Sequence, residues 1–306
     1  MDRECDLVIV GGGLAGLTAA LFAGRLGLAP VVVMDYMIGG QILNIPHVSD
    51  YPGFPDGVAG HELGPLASQQ AEAAGAEIVL EEAVAIEAGI ARHRVETIAG
   101  SVLYPRALIL AMGSSLRKLG VPGEAEFEGR GVSSCASCDG PLFSGKRVLV
   151  VGGGDSALLE APTLAEYGAQ VLLIHRGASF SGQVALRDAV ESNPAITVRL
   201  GTELASIEGD QTVSRVTLRS GDATSREDVA GVFVYAGLEP KTAILSGIPL
   251  DGGGHAKVDL TLATEAPGVF AAGDVREHSA RQLVAAAGDG ATAAFSAARY
   301  LASSSS

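Results

Sequence analysis

The strongest constraint on how this chain can fold is a pattern that occurs twice. An apolar strand over Leu7–Val10 runs into Gly11-x-Gly13-x-x-Gly16, followed by a predicted helix from Leu14 to Leu26 and a second strand over Val31–Asp35. The same grammar returns at Arg147–Val151, with Gly152-x-Gly154-x-x-Ala157, a helix to Tyr167 and a strand over Val171–His175. Strands that are apolar along their length, rather than alternating, suit parallel sheets covered on both faces. In such a loop the first glycine permits the turn, the second lets backbone approach a pyrophosphate, and the third packs helix on strand. The helix start offers amides and a positive dipole end to phosphates, and Asp35 is placed to accept from a ribose hydroxyl. Gly11, Gly13, Gly16 and Asp35 are therefore candidate dinucleotide ligands, as are Gly152, Gly154 and Ala157 in the second copy. The second copy has no acid at its strand end, only His175-Arg176, which suits a basic residue at a 2′-phosphate.

The expected fold class is α/β: two Rossmann-like three-layer dinucleotide-binding domains, the second inserted into the first. Residues 268–274 read as a strand and turn, and Arg281 to Leu301 as an alanine-rich helix, both returning to the first domain. Residues 303–306 are too polar to pack. The crossings fall near Leu116–Val121 and Gly237–Ala243, beside Pro122 and Pro240. The domains are thus expected at 1–116 with 243–306, and at 117–242.

Composition narrows the function classes. Acidic residues outnumber basic ones 35 to 21, a net charge of −14, so phosphate-rich partners are repelled and neither nucleic acid nor membrane is expected as a partner. The uncharged run from Leu7 to Gly24 is long enough to suggest a membrane span. Its flank (Asp2, Arg3, Glu4, Asp6) is acidic, unlike a signal peptide, and its middle is Gly11-Gly12-Gly13. It is read as the buried start of the first domain, in a soluble, cytoplasmic protein. Cys5, Cys135 and Cys138 are too few for a disulfide framework, and a C-x-x-C beside βαβ patterns reads as redox or metal chemistry. Metal is the weaker reading, because a structural zinc needs about four ligands and His47, His61, His93, His175, His255 and His278 are scattered. Cys5 is read as structural. A thiolate at the pair is favoured by a helix start, which Ser133 or Ser134 is placed to cap.

With these motifs in order, the chain resembles the low-molecular-weight thioredoxin reductases, two-domain FAD and pyridine-nucleotide disulfide oxidoreductases, over nearly its whole length. The matching stretches are Gly11–Gly16, Gly39-Gly40-Gln41, Tyr51-Pro52-Gly53-Phe54-Pro55 and Ala111-Met112-Gly113. They continue with Cys135-Ala136-Ser137-Cys138-Asp139-Gly140, Gly237-x-x-Pro240-x-Thr242, Gly273-Asp274 and Arg281-Gln282. The resemblance implies FAD on the first domain, with Asp35 at the ribose, Gln41 and Gln282 near the isoalloxazine, and Asp274 at the ribityl chain. Gly40, Asp50, Ala111, Gly113, Gly273 and Arg281 complete the implied flavin contacts. NAD(P)H is implied on 117–242, through Gly152, Gly154, Ala157, His175 and Arg176. The implied mechanism is a relay in which NAD(P)H reduces FAD, the flavin opens a Cys135–Cys138 disulfide, and the dithiol reduces a partner. Cys138 would face the flavin, Cys135 would attack the partner and Asp139 would serve as acid/base. Thioredoxin is the favoured partner, and a homodimer is implied.

Three departures from the family pattern sharpen this. Members read NADPH with His-Arg-Arg and another Arg four residues later. Here the stretch is His175-Arg176-Gly177-Ala178-Ser179-Phe180-Ser181, so two of the three arginines are missing. Hydrogen bonds to charged groups are worth about 1.5–3 kcal/mol each, and a weakened NADPH preference is expected. Pro141-Leu142-Phe143 keeps one aromatic where members have several, while Arg130 matches a thioredoxin-contacting arginine. Asp50 replaces an asparagine, and its charge would lower the flavin's potential. The alternative reading keeps flavin and dithiol but exchanges the other redox partner, for ferredoxin or for oxygen in a dithiol oxidase. The missing arginines favour it; Arg176 and the intact second glycine loop oppose it.

Overall fold

The computed structural model describes residues 2–89 and 92–304. The chain forms two compact units, Met1–Ser115 with Glu239–Ser306, and Leu116–Leu238. In chain order the first segment contributes β1 (Asp2–Val10), α1 (Leu14–Arg25), β2 (Pro30–Met34), α2 (Gly60–Ala73), β3 (Glu77–Leu80), β4 (Ala83–Glu87), β5 (Arg94–Thr97) and β6 (Val102–Leu110). Around the second unit come β7 (Ser114–Leu116), β8 (Val132–Ser133), α3 (Ala136–Asp139), β9 (Arg147–Val151), α4 (Asp155–Glu166), β10 (Gln170–His175), α5 (Val184–Glu191) and β11 (Ile196–Leu200). A meander of β12 (Glu203–Gly209), β13 (Val213–Ser220) and β14 (Ala223–Asp228) precedes β15 (Gly231–Val234). The chain returns through β16 (Leu238–Pro240), β17 (Leu245–Ser246), β18 (Val269–Ala271) and α6 (Leu283–Ser303).

In the first unit β1 lies between β2 and β6, parallel to both, and β18 pairs parallel with β6. Alternate residues of each central strand enter opposite cores. Leu7, Ile9, Val32, Met34, Ala107 and Ile109 pack on the helical face, against α1 and α6 residues such as Leu17, Ala20 and Ala297. Val8, Val10, Val31, Val33, Leu108 and Leu110 pack on the other, with Ile86, Val95 and Val275. Both faces being covered is why these stretches are apolar at successive positions. Each buried Val, Leu, Ile or Met side chain among them contributes about 1.5–3 kcal/mol of burial.

The second unit repeats the arrangement with a different cover. Its parallel sheet runs β11-β10-β9-β15-β8. Val148, Val150, Val171, Leu173 and Phe233 face α4 and α5, joining Ala157, Leu158, Ala161 and Leu164. Leu149, Val151, Leu172, Ile174, Val232 and Val234 face the antiparallel meander, through Leu204, Ile207, Val213, Val216 and Leu218.

Three local expectations are corrected. β1 begins at Asp2 rather than Leu7, because its polar first half pairs residue by residue with β6 from Val102. α6 begins at Leu283 rather than Arg281. Arg281 is left-handed (φ 55°) and Gln282 is extended (φ −125°, ψ 145°), so neither can join a helix. Ser303 closes that helix and Ser304 follows it, both hydroxyls donating to the Tyr300 carbonyl at 2.8 Å; residues 305 and 306 lie outside the described residues. Among the described residues no helix is long and apolar enough to cross a membrane.

Candidate functional site

In the first unit, Gly11–Gly16, Asp35, Ala111, Gly113, Gly273 and Asp274 follow the carboxyl ends of β1, β2, β6 and β18. An open α/β sheet binds ligands at that edge, where the strand order reverses. Gly11 is left-handed (φ 115°), and its amide donates to Val33 O at 2.9 Å. A Cβ on Gly11 would lie 2.2 Å from Ala111 O, and one on Gly16 would lie 1.9 Å from Gly11 O. Both glycines are thus demanded by packing. Gly13 is different. Its backbone is extended (φ −76°, ψ 177°), and a Cβ there would meet only Gly39 O, at 3.9 Å.

Around this loop, Gly39 N donates to Gly12 O at 2.8 Å, and a Cβ on Gly40 (φ 64°) would stand 3.3 Å from Gly13 Cα. Gln41 donates through Nε2 to Ser114 O. Asp35 follows β2, exposed, with Oδ1 accepting from Met37 N at 2.9 Å. Ala111 N donates to Val10 O at 2.8 Å, and Gly113 (φ 66°) has open space where a Cβ would go. Gly273 (φ 75°) donates to Asp289 Oδ2 at 3.0 Å, and Asp289 is held by Arg276 through Nε at 2.6 Å and Nη2 at 2.9 Å. Asp274 Oδ1 accepts from Ser279 Oγ at 2.8 Å, and Ser279 Oγ accepts from Arg281 N. Asp50 and Arg281 are exposed, and Gln282 is the N-cap residue of α6. Neither Asp289, Arg276 nor Ser279 carries a motif that marks it in the sequence.

The second unit's loop uses the same devices. Gly152 (φ 154°) abuts Tyr235 O, and Ala157 takes the third glycine's place, fully buried. Gly154 is extended (φ −94°, ψ −178°), and a Cβ on it would find only Ser181 Oγ at 3.9 Å. Neither conformation nor packing requires glycine at 13 or 154. What their lack of a side chain preserves is room before the helix amides, which fits a pyrophosphate approached by backbone.

At the end of β10, His175 lies over the glycines of this loop. A Cβ on Gly153 would meet its Nδ1 at 2.4 Å and one on Gly177 its Nε2 at 2.6 Å. Burial, then the neighbouring Arg176 charge, lower the His175 pKa below the ordinary imidazole value. Ser181 closes onto the loop, donating to Gly153 O through Oγ at 3.1 Å and through N at 2.8 Å. Arg176 is exposed.

Cys135 and Cys138 are joined in a disulfide, with Cα atoms 5.3 Å apart. The expected serine cap is replaced by the cysteine itself. Cys135 is the N-cap residue of α3, and its sulfur accepts from Cys138 N at 3.2 Å. Ser133 Oγ instead accepts from Cys135 N at 3.1 Å, and Ser137 Oγ lies 3.4 Å from Cys135 Sγ. Cys138 is exposed, while Cys135 and Asp139 are half-buried. Beneath the turn, Ala136 N donates to Glu160 Oε2 at 3.0 Å. Burial pushes the Glu160 carboxyl up to about 7, against the pull of that amide and of Tyr235. Glu160 went unremarked in the sequence, yet it shares the spacing of the buried stripe Ala157, Ala161 and Leu164. A carboxylate on an apolar helix face is the signal that marks it.

Cys5 is half-buried on β1, and burial pushes its thiol up to about 11, which suits an inert packing residue. Among the described residues no group of three His, Cys, Asp or Glu side chains is placed to hold a metal ion.

Two glycine-loop units, one carrying a disulfide at a helix start, define a dinucleotide-dependent disulfide oxidoreductase. The family model described as pyridine nucleotide-disulphide oxidoreductase matches residues 5–290. A thioredoxin reductase of Treponema pallidum is 39% identical over 303 residues, covering 98% of each chain. One from Mycolicibacterium smegmatis is 40% identical over 304 residues, covering 97% of this chain and 96% of the relative. Among solved structures, Lactococcus lactis thioredoxin reductase matches with a TM-score of 0.94 at 32% identity, covering 98% of this chain and 99% of that one. The chain therefore belongs to the pyridine nucleotide-disulphide oxidoreductase family and, within it, to the low-molecular-weight thioredoxin reductases.

Proposed function

We propose that this protein is an FAD-dependent disulfide oxidoreductase, moving electrons from NAD(P)H to thioredoxin or a similar small dithiol protein. The observation that carries the reading is the Cys135–Cys138 disulfide at the start of α3, within a unit built on its own glycine loop. FAD, when bound, carries two electrons from the reduced nicotinamide to that disulfide. Gly11, Gly13, Gly16, Asp35, Gly40, Gln41, Asp50, Ala111, Gly113, Gly273, Asp274, Arg281 and Gln282 are the residues proposed to hold it. Gly152, Gly154, Ala157, His175 and Arg176 are those proposed for the nicotinamide dinucleotide.

Once the pair is reduced, the Cys135 thiolate attacks one sulfur of the partner's disulfide, and the other sulfur leaves as a thiolate. Cys138 then attacks the Cys135 sulfur, restoring the internal disulfide and releasing the partner as a dithiol. The hydrogen bond from Cys138 N supports Cys135 as the attacking thiolate, since a donated N–H favours the anion. Asp139, in the same turn, is proposed to deliver and collect the protons. Exposed Leu142 and Arg130, which lies over the Phe127 ring, suit contact with the partner. A homodimer working in the cytoplasm is part of the proposal.

The donor is proposed to be NAD(P)H with weak discrimination between its two forms. Gly177 and Ser181 offer no charge to a 2′-phosphate, leaving Arg176 for that role. Anaerobic mixing with NADPH, NADH or reduced ferredoxin, followed by flavin absorbance and thioredoxin reduction, tests this. Bleaching by both nicotinamides at similar concentrations is expected. Rapid bleaching by micromolar NADPH with NADH inert contradicts weak discrimination, and bleaching by ferredoxin alone contradicts the donor.

A further inference from the structure

Beneath the redox-active turn lie two groups that the thiol chemistry above does not use. Glu160 of α4 accepts from Ala136 N, the amide immediately after Cys135, at 3.0 Å. Beside it the Tyr235 hydroxyl is buried, with its residue 6% exposed, and has no partner in hydrogen-bond geometry. Burial, then the Glu160 charge, raise its phenol pKa, so it stays a neutral hydroxyl. A hydroxyl can donate or accept. Facing an ionised Glu160 it offers a donor, and facing a protonated one it offers an acceptor for the acidic hydrogen. These surroundings therefore suit both protonation states of the same carboxyl group, and burial holds that group up to about 7, where both are populated.

Other charged groups lie on the elements packed against α4. Asp139 of α3 acts on Tyr235. Arg187 of α5 donates to Gly182 O, and Arg147 of β9 and Arg199 of β11 both pair with Glu227. The carboxyl group thus acts on the adjacent turn through Ala136.

We propose that Glu160 is a titrating positioning residue for the dithiol, taking up a proton when the Cys135–Cys138 disulfide is reduced and releasing it when the disulfide re-forms. The step balances: disulfide, ionised Glu160, two electrons and two protons give one thiolate, one thiol and protonated Glu160. The electrons are those of the proposed reduction of the pair. The coupling is electrostatic. A thiolate on Cys135 repels a carboxylate held one peptide away and draws on the same turn's amides, so the carboxyl binds its proton more tightly once the thiolate exists. Conversely, an ionised Glu160 raises the thiol's pKa. The proposal rests on the redox reading of the pair, and its test is kept separate from nicotinamide turnover.

The test opens the disulfide of the FAD-loaded chain with a water-soluble phosphine and follows the alkylation rate of Cys135 by iodoacetamide from pH 5.5 to 9, using mass spectrometry. The wild-type profile is expected to show an inflection near neutrality besides that of the thiol itself. Glu160→Gln keeps an oxygen for Ala136 N but cannot titrate. It is expected to lose that inflection and to react three- to tenfold faster at pH 7.5, corresponding to up to about one unit of thiol pKa. Leu159→Gln, a polar change on the exposed side of the same helix, is expected to follow the wild type. A Glu160→Gln profile superimposed on the wild type overturns the proposal. If Glu160→Gln does not fold, the infrared difference between disulfide and dithiol forms of the wild type decides. A protonated-carboxyl band gained on reduction supports the proposal, and none overturns it. Failure of NAD(P)H to reduce the pair would count against the proposed function, not against Glu160.

Discussion

The two glycine loops are near copies in backbone, and they differ in what surrounds the ligand-facing end. In the first unit the third glycine is obligatory, since a Cβ on Gly16 would sit 1.9 Å from Gly11 O. In the second, Ala157 occupies that position and its Cβ fills the space beside Gly152. The first loop ends in an exposed acid at Asp35. The second ends in a ring packed on its own glycines, with Ser181 tied to Gly153 O. One unit leaves an exposed acid at the end of β2, where the proposed ribose contact would fall. The other packs His175 and Ser181 onto its own loop. The first loop is thus constrained from inside and the second from outside.

The largest effect that tests this contrast is at the third position. Gly16→Ala is expected to cost about 3 kcal/mol, because backbone must move to admit the methyl group, and to abolish flavin retention. Ala157→Gly is expected to cost only about 1 kcal/mol. Thermal melting and flavin absorbance of the purified variants check both; equal losses would erase the distinction. Next in size is the second position. Gly13→Ala is expected to leave the apoprotein's melting unchanged while weakening FAD by roughly a hundredfold, about 2.7 kcal/mol. Gly154→Ala is expected to do the same to NAD(P)H alone, by roughly tenfold. A melting loss in either variant would show that the glycine serves protein packing after all.

Smaller again is the response to replacing a missing charge. Ser181→Arg is expected to raise the preference for NADPH over NADH by about tenfold, or about 1.4 kcal/mol, read as a ratio of kcat/KM values. Adding Gly177→Arg is expected to gain less than an additive amount, because its Cβ would collide with the His175 ring.

Of similar size is a pH effect within the second unit. A carboxyl group raised to about 7 contributes its stability below the ordinary carboxyl range, and that contribution fades as pH climbs through 7. The wild type is therefore expected to lose about 1–2 kcal/mol relative to Glu160→Gln between pH 5 and pH 8. Denaturant melts at the two pH values measure the difference, and a constant difference contradicts the raised value.

What could be read in the sequence follows from where the information lies. Strands such as Leu7–Val10 and Val148–Val151 announce themselves because both faces are covered. By contrast, β14 is exposed along nearly all its length and is held by pairing with β13, so no apolar pattern reveals it. The polar half of β1 is a strand only because β6 lies beside it. At the site, glycines and cysteines are visible because their chemistry is rare at such spacings. Arg276–Asp289, Ser279 and Tyr235 act through contacts made only on folding. Glu160 lies between these cases, legible as a charge in an apolar stripe but assigned a partner only by the approach of α3 to α4.

The central claim is that the chain stores electrons both on a flavin and on Cys135–Cys138. Anaerobic dithionite titration of the FAD-loaded protein tests it directly. About four electrons per chain are predicted for the wild type, two for each redox couple, and about two for Cys138→Ser. A wild type that accepts only about two would contradict the account.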